Sequence, residues 1–113
     1  MEADLRIALF AVELSLMYTL ALTAGERRKA TTHTVTIEGM KFQPQELTVA
    51  TGDVVVWVNK DLVAHTATSS AAAIFDSKLI APDESWKFTA RRKGNFAYLC
   101  TYHPTMTAML HVK

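Results

Sequence analysis

The sequence has few of the features that indicate an enzyme or a nucleic-acid-binding protein. Its 113 residues include a single cysteine, Cys100. One cysteine excludes a disulfide bond within the chain and, in an exported protein, marks either a reactive thiol or a metal ligand. The formal net charge is +1, so the charge balance gives no reason to expect nucleic acid as a partner. We find no nucleophile with a base, no carboxylate pair and no phosphate-binding loop, so the sequence predicts no enzyme.

Three potential metal ligands stand close together near the C-terminus, in the stretch CTYHPTM at 100–106. It offers the thiol of Cys100, the imidazole of His103 and the thioether of Met106, and His65 is the best upstream candidate for a second imidazole. Two histidines and a cysteine in a plane, with a weak axial methionine, form the ligand set of a blue-copper site. Structural zinc sites use four cysteine or histidine ligands, and a methionine argues against them. The spacing therefore predicts a copper site.

From residue 31 onward the apolar residues recur with a period of two, which indicates β-strands. Alternation is clear at 34–37, 46–49 and 85–89. The continuous apolar run Val54–Val58 predicts a central strand covered on both faces. We expect residues 96–99 to form the strand that delivers Cys100 to a loop carrying His103 and Met106. Short strands separated by turn residues predict a β-sandwich or a barrel.

The motif at 100–106 resembles the copper loop of small bacterial cupredoxins, the type 1 blue copper proteins, most closely the amicyanin and plastocyanin-like type. The resemblance extends to EGMKFQP at 38–44, LTV at 47–49, GDVVVWVN at 52–59 and GNFAY at 94–98. It implies an all-β Greek-key β-sandwich that holds one copper ion, Cu(I) or Cu(II). The chain has no His-x-His pair, which argues against the multi-copper centres of larger relatives.

The resemblance implies a type 1 copper protein that shuttles single electrons between redox partners. We expect the partners to bind transiently near His103, at an apolar patch to which Leu62 and Val63 contribute. A periplasmic copper carrier or resistance protein is the alternative, because Ala64 and Ala108 replace residues that are expected to stiffen the loops in the family. A metal-free β-sandwich interaction module with a buried cysteine is a further alternative.

Four more residues near the ligand segments or on strands have simpler expected roles. Asn59 and Thr101 lie close in sequence to the two ligand segments, so each either hydrogen-bonds near a ligand or stabilises a turn. His33 and His111 are expected to be exposed strand residues and not ligands.

The first thirty residues differ from the rest of the chain. Residues 5–24 are largely apolar, with Glu13 as an interruption, and predict an N-terminal apolar helix. We divide the chain into a targeting segment and linker at 1–30 and a cupredoxin domain at 31–113. The segment is either a cleaved signal peptide or a membrane anchor through residues 5–24. We expect a monomer in the periplasm or another extracytoplasmic compartment.

Overall fold

A computed structural model describes residues 28–71 and 73–113 of the chain. Every regular element in this part is a strand, and no helix there is long and apolar enough to cross a membrane. The predicted N-terminal helix lies outside the described residues. The strands are β1 Thr32–Ile37, β2 Phe42–Gln43, β3 Glu46–Val49, β4 Val54–Asn59, β5 Thr68–Ser69, β6 Ser85–Thr89, β7 Gly94–Cys100 and β8 His103–Val112.

The strands form two four-stranded sheets, with the orders β2-β1-β4-β6 and β3-β8-β7-β5. β1 pairs with β4 and β3 with β8 in parallel, and the other pairings are antiparallel. The chain crosses from one sheet to the other after β2, β3, β4, β5 and β6. The all-β, two-sheet architecture predicted from the sequence is therefore confirmed.

Alternating side chains place one face of each sheet in a shared core. Along β8, Met106, Ala108, Leu110 and Val112 are buried while the residues between them are more exposed. β4 follows the same rule, because its residues alternate between partly exposed and buried positions. The prediction that Val54–Val58 is covered on both faces was wrong. β4 is the second strand from the edge of an open sheet whose outer face meets solvent.

The centre of the core is aromatic. Trp57 on β4 and Tyr98 on β7 face each other across the two sheets, with ring centroids 5.6 Å apart and planes at 87°. Phe75 contacts both of them at 5.4 and 5.6 Å, and Phe42 packs edge-on against Tyr98 at 4.8 Å. These aromatic contacts, most of them edge-to-face, hold the two sheets together. Cys100, two residues after Tyr98, is held against this core.

The turn between β7 and β8 differs from the prediction. The sequence indicates a loop that carries all three C-terminal ligands, whereas β8 already begins at His103. Only Thr101 and Tyr102 form the turn, and Cys100 and His103 are cross-strand partners beside an irregularity in the pairing at Leu99–Cys100. The pairing of β7 with β8 therefore fixes Cys100 and His103 relative to each other. The apolar pattern at 103–107 does not reveal this pairing.

Candidate metal centre

One sulfur donor and one nitrogen donor come from the β7–β8 hairpin. Cys100 is the last residue of β7 and its side chain is fully buried. His103 is the first residue of β8 and is partly exposed. The distance between Cys100 Sγ and His103 Nδ1 is 3.6 Å. The thiol is thus enclosed by the protein, while His103 is partly exposed.

The third donor comes from the segment between β4 and β5. His65 forms an isolated bridge with Ile80, in which His65 N–H donates to Ile80 O at 3.1 Å and Ile80 N–H donates to His65 O at 2.8 Å. The His65 ring is fully buried. Its Nδ1 lies 3.7 Å from Cys100 Sγ, and its centroid lies 5.1 Å from that of His103.

The three donor atoms fit one metal ion. His65, Cys100 and His103 each offer an atom within 4.8 Å of the other two. Donors bound at about 2.0–2.3 Å and spread about 120° apart in a plane would lie roughly 3.5–3.8 Å from each other. The observed sulfur–nitrogen distances of 3.6 and 3.7 Å agree with that value. Two imidazoles and one thiolate are the planar donor set of blue-copper sites.

Met106 is brought to the same end of the sandwich. It lies on the core face of β8, three residues after His103, and only 4% of it is exposed. The residue also lines a cavity of about 290 Å³. A buried thioether beside the hairpin that carries Cys100 and His103 is consistent with the axial position predicted for it.

Asp61 contacts the site, and the sequence analysis missed it. Its Oδ2 lies 2.8 Å from His65 Nε2, and its carboxylate also accepts hydrogen bonds from the N–H groups of Gly39 at 2.7 Å and Met40 at 3.0 Å. Burial would raise the pKa of Asp61, but the hydrogen bonds from Met40, His65 and Gly39 lower it. Asp61 is therefore an ionised carboxylate that accepts a hydrogen bond from His65 Nε2. This leaves His65 Nδ1 free to bind a metal.

Asn59, the last residue of β4, makes hydrogen bonds to the backbone around His65 and none to the ligand atoms. Its side-chain amide donates to Val63 O at 2.8 Å and to Ile80 O at 2.9 Å, and its Oδ1 accepts from Asp61 N–H at 2.9 Å. The Asn59 side chain is fully buried. It thus links the segment that contains His65, at Val63, to the backbone of Ile80. The sequence offered both roles for Asn59, and the contacts select the structural one.

Thr66 connects the two ligand segments, and it was also missed. Its backbone N–H donates to Cys100 Sγ at 3.4 Å, and its Oγ1 accepts from Thr101 N–H at 2.9 Å. Thr101 therefore contacts Thr66 through its backbone N–H, and its hydroxyl oxygen lies 3.2 Å from that of Thr66. The only sequence signal for Thr66 was its place directly after His65, since the contact joins residues that are 35 positions apart.

The remaining histidines do not join the cluster. His33 Nε2 lies 3.0 Å from Asp53 Oδ2. His111 Nδ1 lies 2.7 Å from Asn95 Oδ1. Each is partly exposed on its strand and is held by a side chain of its own surroundings, as expected for residues that are not ligands.

Exposed apolar side chains surround the metal-site end. Leu62 is 95% exposed, Val63 48% and Tyr102 62%. Leu62 and Val63 precede His65, and Tyr102 directly precedes His103. Leu62 and Val63 are therefore exposed at the surface and not packed in the core, as the predicted apolar patch requires.

The comparisons with known proteins agree with the fold and the cluster. The family model of the cupredoxin-like domain matches residues 8–112. Amicyanins from Paracoccus denitrificans and Paracoccus versutus are 30% and 29% identical to the chain over 83 residues, which are 70% of it. The chain spans 63% of the length of each of these two relatives. A solved Cu(I) amicyanin variant superposes with a TM-score of 0.69 at 26% identity, over 80% of this chain and 88% of that one.

An all-β two-sheet fold with a buried Cys and two His at one end defines a small blue copper protein. Since the family model covers nearly the whole sequence, the chain belongs to the cupredoxin-like family. This confirms the resemblance found in the sequence, and with it copper as the cofactor.

Proposed function

We propose that the protein is a type 1 copper protein that carries single electrons between redox partners. The observation that carries this proposal is the cluster of His65, Cys100 and His103, whose donor atoms all lie within 4.8 Å of one another. Met106 would supply the fourth donor, a weakly bound thioether. The amicyanin relatives and the bound Cu(I) of the solved variant support the same assignment.

The protein's contribution is to hold the donors in one arrangement that suits both oxidation states. Copper supplies the one-electron couple when it is bound. Asp61 fixes the tautomer and orientation of His65, and Thr66 N–H donates to Cys100 Sγ, which withdraws charge from the thiolate. A fixed arrangement keeps the reorganisation small when an electron arrives or leaves, so the transfer is fast.

His103 is the proposed electron port. The residue is partly exposed, while His65 and Cys100 are completely buried. The exposed side chains of Leu62, Val63 and Tyr102 supply an apolar docking patch at the same end. Redox partners form small, transient interfaces. An apolar patch of this kind binds a partner through apolar contacts and does not need a strong electrostatic attraction.

The decisive test is the visible absorption spectrum of the protein after addition of one equivalent of Cu(II). The thiolate bond to copper gives an intense band at roughly 600 nm in the His2Cys geometry. We expect this band in the parent chain, its loss in Cys100→Ser, and its retention in His111→Ala, which alters a histidine outside the cluster. Absence of the band in the parent chain would refute the proposed type 1 site.

A periplasmic copper carrier is the second candidate, and one observation favours it. Met40, which is 41% exposed, lines the same 290 Å³ cavity as the buried Met106. Met40 also has φ of 60°, a rare conformation for a side chain of this size, and its N–H is held by Asp61. Thioethers are soft donors that select Cu(I), so this cavity is a candidate entry route for the ion.

Copper exchange separates the two candidates. An electron carrier retains Cu(I) against a soluble Cu(I) chelator, whereas a carrier protein releases it quickly. The informative variant is Met40→Leu, with Met109→Leu as a control on the same strand as Met106. Rapid release that slows only in Met40→Leu supports copper delivery, and slow release in all three proteins supports electron transfer.

We also propose that residues 1–30 direct the domain at 31–113 to the periplasm or another extracytoplasmic compartment. The apolar stretch at 5–24 is the sequence support for this assignment, either as a cleaved signal or as a membrane attachment. The protein is proposed to act as a monomer. Two measurements distinguish a cleaved signal from a membrane attachment. They are the mass of the mature protein and its release by osmotic shock without detergent.

A further inference from the structure

We propose that Thr68 and Asp76 are positioning residues of the metal centre, which hold the segments carrying His65 and Cys100 together through a chain of hydrogen bonds. The inference rests on the proposed function, because it concerns the same ligands. Thr68 lies three residues after His65 and Asp76 eleven residues after it, and neither makes a hydrogen bond to the three donor atoms.

The inner half of the chain joins the two ligand segments. Thr66 directly follows His65, and Thr101 directly follows Cys100. Thr101 N–H donates to Thr66 Oγ1 at 2.9 Å, and the two hydroxyl oxygens lie 3.2 Å apart. The Thr66 hydroxyl is therefore the point at which the two segments meet.

The outer half continues to the surface. Thr68 Oγ1 lies 3.0 Å from Thr66 Oγ1 and 3.2 Å from Asp76 Oδ1. Asp76 also accepts from Lys78 N–H at 2.9 Å and pairs with Lys78 Nζ at 3.0 Å. Thr66, Thr101, Asp76 and Lys78 line one surface cleft beside the metal-site end.

The Asp76 carboxylate is the hydrogen-bond acceptor at the outer end of the chain of hydrogen bonds. Hydrogen bonds from Lys78 N–H, from the Lys78 side chain and from Thr68 lower the pKa of Asp76 despite its partial burial, so it only accepts. A hydroxyl has one proton to donate and accepts with its lone pairs. Asp76 thus holds the Thr68 hydroxyl, whose proton lies between Asp76 Oδ1 and Thr66 Oγ1 and is donated to both. Thr66 Oγ1 then accepts with its two lone pairs, one from the Thr68 hydroxyl and one from Thr101 N–H.

This direction has a consequence for the metal ligands. Because Thr66 Oγ1 accepts from both the Thr68 hydroxyl and Thr101 N–H, its own proton is turned away from Thr101 N–H and the link between the segments is kept. Thr66 also donates its backbone N–H to Cys100 Sγ at 3.4 Å. Whatever holds Thr66 therefore holds the hydrogen bond to the thiolate and the spacing between His65 and Cys100. Chains of hydrogen bonds strengthen their members cooperatively.

The variants for the test are Thr68→Val, Thr68→Ser and Asp76→Ala. Thr68→Val removes the hydroxyl and keeps the shape and a residue suited to a strand. Thr68→Ser restores the hydroxyl and should restore the parent behaviour. Thr48→Val is the matched control, since Thr48 is an exposed threonine on β3.

The first readout uses the metal-free protein. Loss of one hydrogen bond weakens a local contact by about fivefold, so we expect the Thr101 amide to exchange its hydrogen roughly fivefold faster in Thr68→Val and Asp76→Ala. Thr68→Ser and Thr48→Val should exchange as the parent does. Parent-like exchange of Thr101 in both Thr68→Val and Asp76→Ala would overturn the proposal.

The second readout uses the copper-loaded protein. We expect Thr68→Val and Asp76→Ala to keep the charge-transfer band, to shift the reduction potential and to release copper several times faster than the parent. An unchanged potential together with unchanged release would show that the chain does not position the ligands. Absence of the band in the parent itself would instead refute the proposed function, so the two failures are distinguishable.

Discussion

At the scale of single residues, the direction of one hydrogen bond prepares His65 for a metal. Asp61 accepts from Nε2 at 2.8 Å, so Nδ1 keeps its lone pair and points toward Cys100 Sγ. The imidazole is buried completely, and a buried ring without this partner would be free to rotate or to change tautomer. Partners of this kind are typical of histidines that bind metals.

Replacing Asp61 should therefore weaken copper binding without removing a ligand. We expect Asp61→Ala to lower copper affinity about 10- to 100-fold, as measured by competition with a chelator of known affinity. Asp83→Ala is the control, because Asp83 is an exposed carboxylate (85% of its side chain) that pairs with Lys60. Equal affinities of Asp61→Ala and the parent chain would contradict the role given to Asp61.

The axial thioether should affect the potential more than the affinity. We expect Met106→Leu to keep copper bound and to raise the reduction potential, because a weak axial donor is removed from a buried position while the three planar donors remain. Voltammetry of the loaded protein measures the change. Complete loss of the metal in Met106→Leu would show that the thioether is a stronger ligand than an axial role implies.

At the scale of the elements, the end of the sandwich opposite the copper depends on one carboxylate. Asp53, at the turn before β4, is 2% exposed. Its hydrogen bonds with Thr31 N–H, the Arg28 and His33 side chains and Ala50 N–H hold its pKa well below the usual value, although burial opposes them. Asp53 thereby fastens the chain ahead of β1 to the turn between β3 and β4.

The depressed pKa of Asp53 makes the stability of this end depend on pH. The folded chain binds the proton less readily than the unfolded chain, so the stabilisation is complete above about pH 5 and is lost as the pH falls further. We expect the urea midpoint of the metal-free parent to fall more steeply between about pH 5 and about pH 3 than that of Asp53→Asn. Asp83→Asn, which changes an exposed carboxylate, should retain the parent's slope.

At the scale of the whole molecule, copper binding and folding are coupled. The donors come from the segment between β4 and β5 and from the β7–β8 hairpin, and they meet only when both sheets are assembled. A ligand that binds only the folded state stabilises it in proportion to the logarithm of its concentration over Kd. The metal therefore adds to the stability supplied by the aromatic core.

We expect copper to raise the melting temperature of the parent chain by roughly 10 °C or more at a hundredfold excess over Kd. Calorimetry of the metal-free and loaded forms measures this rise. The rise should vanish in Cys100→Ser at the same copper concentration, since that variant lacks the thiolate. Identical melting curves for the two forms of the parent would contradict the coupling.

The sequence by itself determined the fold class and the members of the metal cluster. Cys100 and His103 stand three residues apart after an apolar run, and thiolate, imidazole and thioether groups together are rare outside copper sites. The period of two from residue 31 onward required strands, because each sheet has one buried face. These features are local, so they can be read along the chain.

Only the tertiary structure decided which groups hold the ligands in place. Asp61 and Thr66 act across turns and between sheets, and Thr66 reaches Cys100 over a separation of 34 residues. The exposed outer face of β4 and the early start of β8 at His103 likewise depend on which strands lie beside them. Hydrogen bonds between distant residues depend on how the backbone packs, and neither composition nor periodicity records that arrangement.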